Sequence, residues 1–211
     1  MLERRTYLFD INADQNERGN IITGRPIVYN SKTDIGGMFE EVIDAGALDK
    51  TDLRDVRFLV NHNMDMIPLA RSRRNNGNST MQLEVDNEGL GISVLLDTEN
   101  NTDARSLYSA VERRDLDGMS FAFVVDGEKW ENLDSDYPTR HITNIASVIE
   151  VSAVTFPAYE STEIYARSKE ALENAKEALE NAKRSSMEIE GSANDTELEL
   201  LKEQTKLLGG I

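Results

Sequence analysis

"RDLDGMSFAFVV", residues 114–125, sets one hydroxyl inside a run that otherwise reads as buried strand. Serines belong mainly in turns, caps and exposed faces. Ser120, between Met119 and Phe121 and two positions after Gly118, is therefore either a small polar residue tolerated at a strand start or a hydroxyl held for chemistry. The neighbouring sequence places this run in a strand-rich chain. "ASVIEVSAVTF" (146–156) reads as another strand, and "NIITGRPIVYN" (20–30) as a strand broken by Gly24. "TMQLEVDNEGLGISVLLD" (80–97) reads as two strands around an Asn-Glu-Gly turn. "NTDARSLYSAVERRDLDG" (101–118) spaces Ala104, Leu107, Tyr108 and Val111 as one helical face ending near Gly118. The expected fold is α+β and mainly β: a closed barrel or strongly curved sheet flanked by helices, with a C-terminal helical extension.

Composition narrows the chemistry. The 211 residues suffice for one domain plus an appendage, and a 39% hydrophobic content supports a core. There are no cysteines, which excludes disulfides, thiol catalysis and thiolate zinc sites. With 39 acidic against 23 basic residues, the net charge of -16 repels phosphate backbones, so no nucleic-acid partner is expected. Neither a secretory signal nor an apolar run of membrane-spanning length is seen, and the sequence reads as soluble and intracellular, with no membrane partner.

A division falls at residue 165. Every Phe, Trp and Tyr lies at or before Tyr165, so residues 1–165 form the core-building domain and 166–211 an extension. "KEALENA" at 169–175 recurs unchanged at 176–182, returning Leu172 to Leu179 and Ala175 to Ala182 on one helical face. Two heptads make a thin seam, which fits either a helical scaffold-binding arm or a solvated helix. "RSSMEIEGSAND" (184–195) reads as a linker, and 196–211 as a short amphipathic helix.

Three polar residues interrupt the apolar runs: His62, Ser120 and Glu150, with Ser152 beside the last. In "DVRFLVNHN" (55–63), strand alternation puts Val56, Phe58, Val60 and then His62 on one face. Glu150 and Ser152 share a face, opposite Val151 and Ala153, and a carboxylate there is costly unless paired. A hydroxyl nucleophile, an imidazole base and a carboxylate to orient it are what serine acyl transfer requires. The spacing alone proves nothing and leaves standing the reading of a satisfied core histidine and a tolerated strand serine, and there is no G-x-S-x-G elbow.

Five ordered blocks carry a resemblance: "GRPIVYNSKTDIGGMFEEVIDAGALDK" (24–50), "FLVNHNMDMIPLAR" (58–71), "NEGLGISVLLD" (87–97), "DLDGMSFAFVV" (115–125) and "RHITNIASVIEVSAVTFPAYESTE" (140–163). Together they resemble the HK97-like prohead maturation proteases of tailed bacteriophages, serine peptidases related in fold to the herpesvirus assemblins. The resemblance implies a β-barrel with flanking helices, catalytic His62, Ser120 and Glu150, and no cofactor or metal. It implies cleavage of the scaffold segment of the major capsid protein, and of the protease itself as a possible homo-oligomer, inside the immature procapsid in the host bacterial cytoplasm. Assemblins use a second histidine as third residue, and His141 is available, but it follows Arg140 in a polar stretch and reads as a surface residue. The family's Pro-hydrophobic-Gly-Arg becomes Pro68-Leu69-Ala70-Arg71 here, and "RSRRNNGNST" (71–80) beside it reads as a solvated hairpin loop or a contact for substrate charge. Two rival readings are a non-catalytic assembly or scaffolding protein, favoured by the heptad tail, and a metal-dependent hydrolase, for which two isolated histidines offer no ligand spacing.

Overall fold

Two long strands near the end of the described sequence organise everything else. The computed structural model describes residues 2–7, 11–155 and 173–187. Its strands run β1 (Leu2–Tyr7), β2 (Asn12–Asn16), β3 (Gly19–Val28), β4 (Lys32–Ile35), β5 (Phe39–Ile43), β6 (Asp55–Val60), β7 (Ala70–Arg73), β8 (Met81–Val85) and β9 (Gly89–Leu95). Helix α1 (Thr102–Glu112), β10 (Gly118–Glu131) and β11 (Thr139–Val154) follow, and residues 173–187 form a second helix, α2.

The larger sheet has seven strands. β10 pairs antiparallel with β1 on one side and with β11 on the other. The far edge of β11 is shared: Thr139–Ile142 pair parallel with β5, and Glu150–Ala153 parallel with β6. Between them, the connection from β5 to β6 runs along β11, with Ile145 N–H donating to Ala47 O (2.9 Å) and Asp52 N–H to Ala146 O (2.8 Å). β4 extends β5, and β7 extends β6. The smaller sheet is antiparallel in the order β2-β3-β9-β8.

Among the described residues neither sheet closes on itself, so the mainly-β expectation holds but the closed barrel is not seen. The β10–β11 register slips at four points between Ala122 and Glu128, and bulges of this kind bend and twist a ribbon. β3 also slips between Gly24 and Ile27, a position that accommodates Pro26, which has no N–H to give a ladder. Gly89, closing the expected hairpin after β8, has φ 142°, and a Cβ there would stand 2.0 Å from Ile27 O, so only glycine fits.

One core lies between the sheets and α1. Met119, Phe121, Phe123, Val151 and Phe58 from the large sheet meet Ile22, Ile27, Leu90, Ile92 and Val94 from the small one. Helix α1 adds Ala104, Leu107 and Val111. Its N-cap is Asn101, whose side chain accepts from Asp103 N–H (2.9 Å) and Ala104 N–H (3.2 Å). The helix stops at Glu112, earlier than Gly118: Arg114 takes the left-handed terminating conformation (φ 60°), and Gly118 instead begins β10.

α2 includes the second half of the heptad pair and runs on through residues 184–187, where the sequence suggested linker. Ala175 is buried, Leu179 and Ala182 half-buried, and Asn174 Nδ2 donates to Leu2 O of β1 at 3.2 Å. Leu172, the boundary at 165 and the amphipathic segment 196–211 lie outside the described residues. No described helix is long and apolar enough to cross a membrane.

Candidate active site

The site grows from the register of β10 and β11. Ser120 stands directly opposite Ser152, and Ala122 opposite Glu150. Residues directly across a ladder point to the same face, so Ser120, Ser152 and Glu150 share one face. Met119, Phe121, Val151 and Ala153 fill the other and enter the core. The Gly118-to-Val125 run is thus two-faced in function: one side is packing, the other holds the hydroxyl that looked out of place.

His62 arrives by a different route from the one strand alternation suggests. β6 ends at Val60, whose partner is Ala153 on the core side. Asn61 and His62 both adopt the left-handed conformation (φ 52° and 56°), a region that Asn and His enter more readily than most residues. Asn61 is pinned to the end of β11: its N–H donates to Ala153 O (2.9 Å), and its Oδ1 accepts from Thr155 N–H (3.0 Å) and Thr155 Oγ1 (3.2 Å). The two left-handed residues take His62 off the Val56-Phe58-Val60 face and bring it to the face of Ser120. The alternation expected through His62 is corrected accordingly.

There the side chains form a continuous line of hydrogen bonds. His62 Nε2 lies 2.6 Å from Ser120 Oγ, and His62 Nδ1 lies 2.5 Å from Glu150 Oε1. A carboxylate can only accept, so Nδ1 carries the proton and Nε2 presents its lone pair to the serine hydroxyl. Glu150 Oε2 accepts from Ser152 Oγ at 2.5 Å, and the same Ser152 oxygen accepts the His62 main-chain N–H at 3.1 Å. Ser152 therefore fixes both the carboxylate and the histidine backbone. The sequence marked it only as a neighbour of Glu150; its signal was the i, i+2 spacing that put the two on one face.

Ser120, Ser152 and Glu150 are buried, while the imidazole keeps about a fifth of its surface exposed (19%). Ser120 Oγ also lies 2.7 Å from the main-chain oxygen of Arg5, so its single hydrogen has two acceptors in reach. Arg5 itself is held in a buried ionic cluster. Its guanidinium contacts Glu41 Oε1 and Oε2 (the latter at 2.6 Å) and Glu3 Oε2 (2.5 Å). Arg140 reaches Glu3 (2.8 Å), Glu41 (3.0 Å) and Glu128 Oε2 (2.8 Å from Nε). Burial works against the charged form of Glu3, but the hydrogen bond from Arg140 and the charges of Arg5 and Arg140 hold its carboxyl below the usual range. Burial likewise opposes both guanidinium charges, and the surrounding carboxylates more than compensate, so both arginines stay charged. The cluster ties β1, the edge strand that brings Arg5 to Ser120, to β5, β10 and β11.

His141 lies elsewhere. Its Nδ1 is 2.7 Å from Asp44 Oδ1, its Nε2 3.7 Å from Glu131, and its described contacts include none of His62, Ser120 and Glu150. In the 71–80 stretch, Arg71 pairs with Asp55 (2.6 and 2.8 Å), and Asn75 is bonded through its side chain to both Leu83 O (2.7 Å) and Leu83 N–H (2.9 Å). That hairpin is ordered by its own contacts. No cluster of three or more metal-binding side chains occurs among the described residues.

No curated protein matches this sequence. Among solved structures, the bacteriophage T4 capsid assembly protease, gp21, aligns with a TM-score of 0.41 and 11% identity, over 74% of this chain and 98% of that one. The model of one family, the caudovirus prohead serine protease, matches residues 8–178, the greater part of the 211, and the chain belongs to that family.

Proposed function

We propose that this member of the caudovirus prohead serine protease family performs its prohead maturation role through three side chains brought together on one sheet face. Ser120 is the nucleophile, His62 the general base and Glu150 the residue that orients the imidazole. The observation that carries this reading is the unbroken connection from Ser120 Oγ to His62 Nε2 (2.6 Å) and from His62 Nδ1 to Glu150 Oε1 (2.5 Å).

Attack begins when the Ser120 hydroxyl turns from Arg5 O to His62 and passes its proton to Nε2 as the oxygen adds to the scissile carbonyl. Glu150 stabilises the imidazolium through Nδ1–H. His62 then protonates the leaving amine, the peptide C–N bond breaks, and an ester links the acyl fragment to Ser120. Water, deprotonated by the same imidazole, hydrolyses that ester and restores the serine. Ser120 is buried, so a peptide reaches it only once the segments around the site open.

The proposed substrates are the scaffold segment of the major capsid protein and the protease's own sequence, cut as an endopeptidase within the procapsid in the host cytoplasm. Residues 166–211 serve as the recruiting extension, separate from the catalytic residues 1–165. The test is Ser120→Ala. The variant is expected to fold, to resist labelling by a fluorophosphonate, and to leave capsid protein uncut on coexpression. Wild-type fragments from that variant would remove Ser120 from the mechanism.

A further inference from the structure

The sheet face that carries the reacting groups continues past them. In the ladder Glu150 stands beside Arg57 of β6, Arg57 opposite Arg71 of β7, and Asp55 opposite Arg73. The alternate residues Val56, Phe58, Ala70 and Ser72 are buried on the core side. Asp55, Arg57, Arg71 and Arg73 therefore share the face of Ser120 and Glu150. This outer part of the face is basic. Asp55 accepts from Arg71 (2.6 and 2.8 Å) and from Arg57 (3.2 Å), and the exposed Arg73 adds its charge to the same carboxylate without forming an ion pair among the described residues. Three guanidiniums thus meet one carboxylate, which leaves two positive charges over on a chain whose net charge is -16. The next carboxylate in the row, Glu150, is turned to His62 and Ser152.

Chemistry decides which part of a peptide meets this row. The imidazole that accepts the serine proton hands it to the departing amine, and it reaches Ser120 from the end of β6, so the part of the substrate that follows the scissile bond lies on the β6–β7 side. The row of Ser120 runs through Ser152 to Leu59, two residues beyond Arg57. Two strand spacings of about 4.8 Å and two residues of about 3.3 Å put Arg57 about 12 Å from Ser120, and a third spacing puts Arg71 about 16 Å away. Extended peptide covers that span in about four or five residues. An acidic side chain is repelled by the chain as a whole and attracted at this row. We propose that Arg57, Arg71 and Arg73 receive an acidic side chain of the substrate, carried by the fourth or fifth residue after the scissile bond. The proposal rests on the assignment of Ser120 and His62 above.

Charge exchange between protease and substrate tests this. Coexpression with the major capsid protein, followed by mass spectrometry of the fragments, identifies the bond that is cut, and Asp or Glu is expected at the fourth or fifth residue after it. Replacing that residue by Lys in the capsid protein should slow the appearance of fragments about fivefold with the wild-type protease, the scale of an exposed ion pair exchanged for a repulsion. Arg71→Glu should reverse the preference, so that the Lys form is cut faster than the acidic one. Arg71→Gln, which sets no second carboxylate beside Asp55, should bring the ratio towards one. The pair that Arg71 makes with Asp55 is partly exposed, so its loss should cost little stability, and thermal unfolding of both variants checks this. Each readout is a ratio of two substrates within one protein, so a change in overall rate does not mimic it. A cut bond with no acidic residue at those positions, or a ratio that neither variant moves, would overturn the proposal. Ser120→Ala checks the foundation: fragments that persist with it, or a capsid protein left whole by the wild type, overturn the reading of the site, and this inference falls with it.

Discussion

Ser152→Ala removes one oxygen and two hydrogen bonds from the site while leaving all three proposed reacting groups in place. The bond to Glu150 Oε2 spans 2.5 Å and is made to a buried carboxylate; bonds to charged acceptors contribute about 1.5–3 kcal/mol. The bond from His62 N–H, at 3.1 Å, is neutral and contributes about 0.5–1.5 kcal/mol. Only the part that strengthens as the imidazolium forms lowers kcat. The carboxylate bond belongs to that part, because a freely rotating Glu150 stabilises the cation less well. At about 1.4 kcal/mol per tenfold, kcat should fall roughly 10- to 100-fold with KM nearly unchanged. Peptide hydrolysis under saturating and limiting substrate separates the two constants, and thermal unfolding shows that the variant is folded. Ser152→Thr keeps the hydroxyl and should recover most of the loss, which a packing defect alone would not. A folded Ser152→Ala protein with wild-type kcat would refute the claim that Ser152 positions the carboxylate and the histidine.

Glu150→Gln should lower kcat by a smaller factor than His62→Ala, which should abolish turnover, whereas His141→Ala should leave it close to wild type; the reverse pattern in folded variants, measured by the same assay, would move the third role to His141. Glu41→Gln strips a shared anion from two buried guanidiniums and should cost about 3 kcal/mol or more, a Tm lower by roughly 6–12 °C in calorimetry. Because the Glu3 carboxyl titrates lower in the folded protein than in the unfolded one, its contribution is complete above the ordinary carboxylate range and is lost as pH falls through its folded value. Melting curves taken from about pH 6 down to about pH 3 should therefore be less steep in pH for Glu3→Gln than for the wild type. Deleting residues 166–211 removes the Asn174 to Leu2 bond, worth about 1 kcal/mol, and should leave a folded protein that cuts an exposed scaffold peptide but is depleted from purified procapsids on quantitative immunoblots.

Much of this was legible because it depends on local periodicity. Alternation put Glu150 and Ser152 on one face, the Asn-Glu-Gly turn announced β8 and β9, and the spacing of Ala104, Leu107 and Val111 announced α1. His62 was legible as a residue but not in its direction, since the face it occupies is set by two left-handed residues that no alternation rule contains. The double use of β11 was hidden for a similar reason: parallel pairing with β5 and β6 is decided by segments far apart in sequence, and the continuous 16-residue strand shows no seam. Nothing in the sequence marked Arg5, Arg140, Glu3 and Glu41, because only their mutual pairing, between distant strands, allows all four to be buried.

The sharing of β11 also sets a clock on synthesis. A ribosome delivers β6 and its histidine first, then β10 with Ser120, and the strand that aligns both arrives last among the described strands. Until residues 150–153 pair with 57–60, His62 has neither its carboxylate nor the Ser152 oxygen that holds its backbone. β1 must in turn wait more than a hundred residues for its partner in β10. Pairings of such long sequence separation form slowly. A nascent polypeptide therefore spends its period on the ribosome with Ser120 and His62 still unconnected.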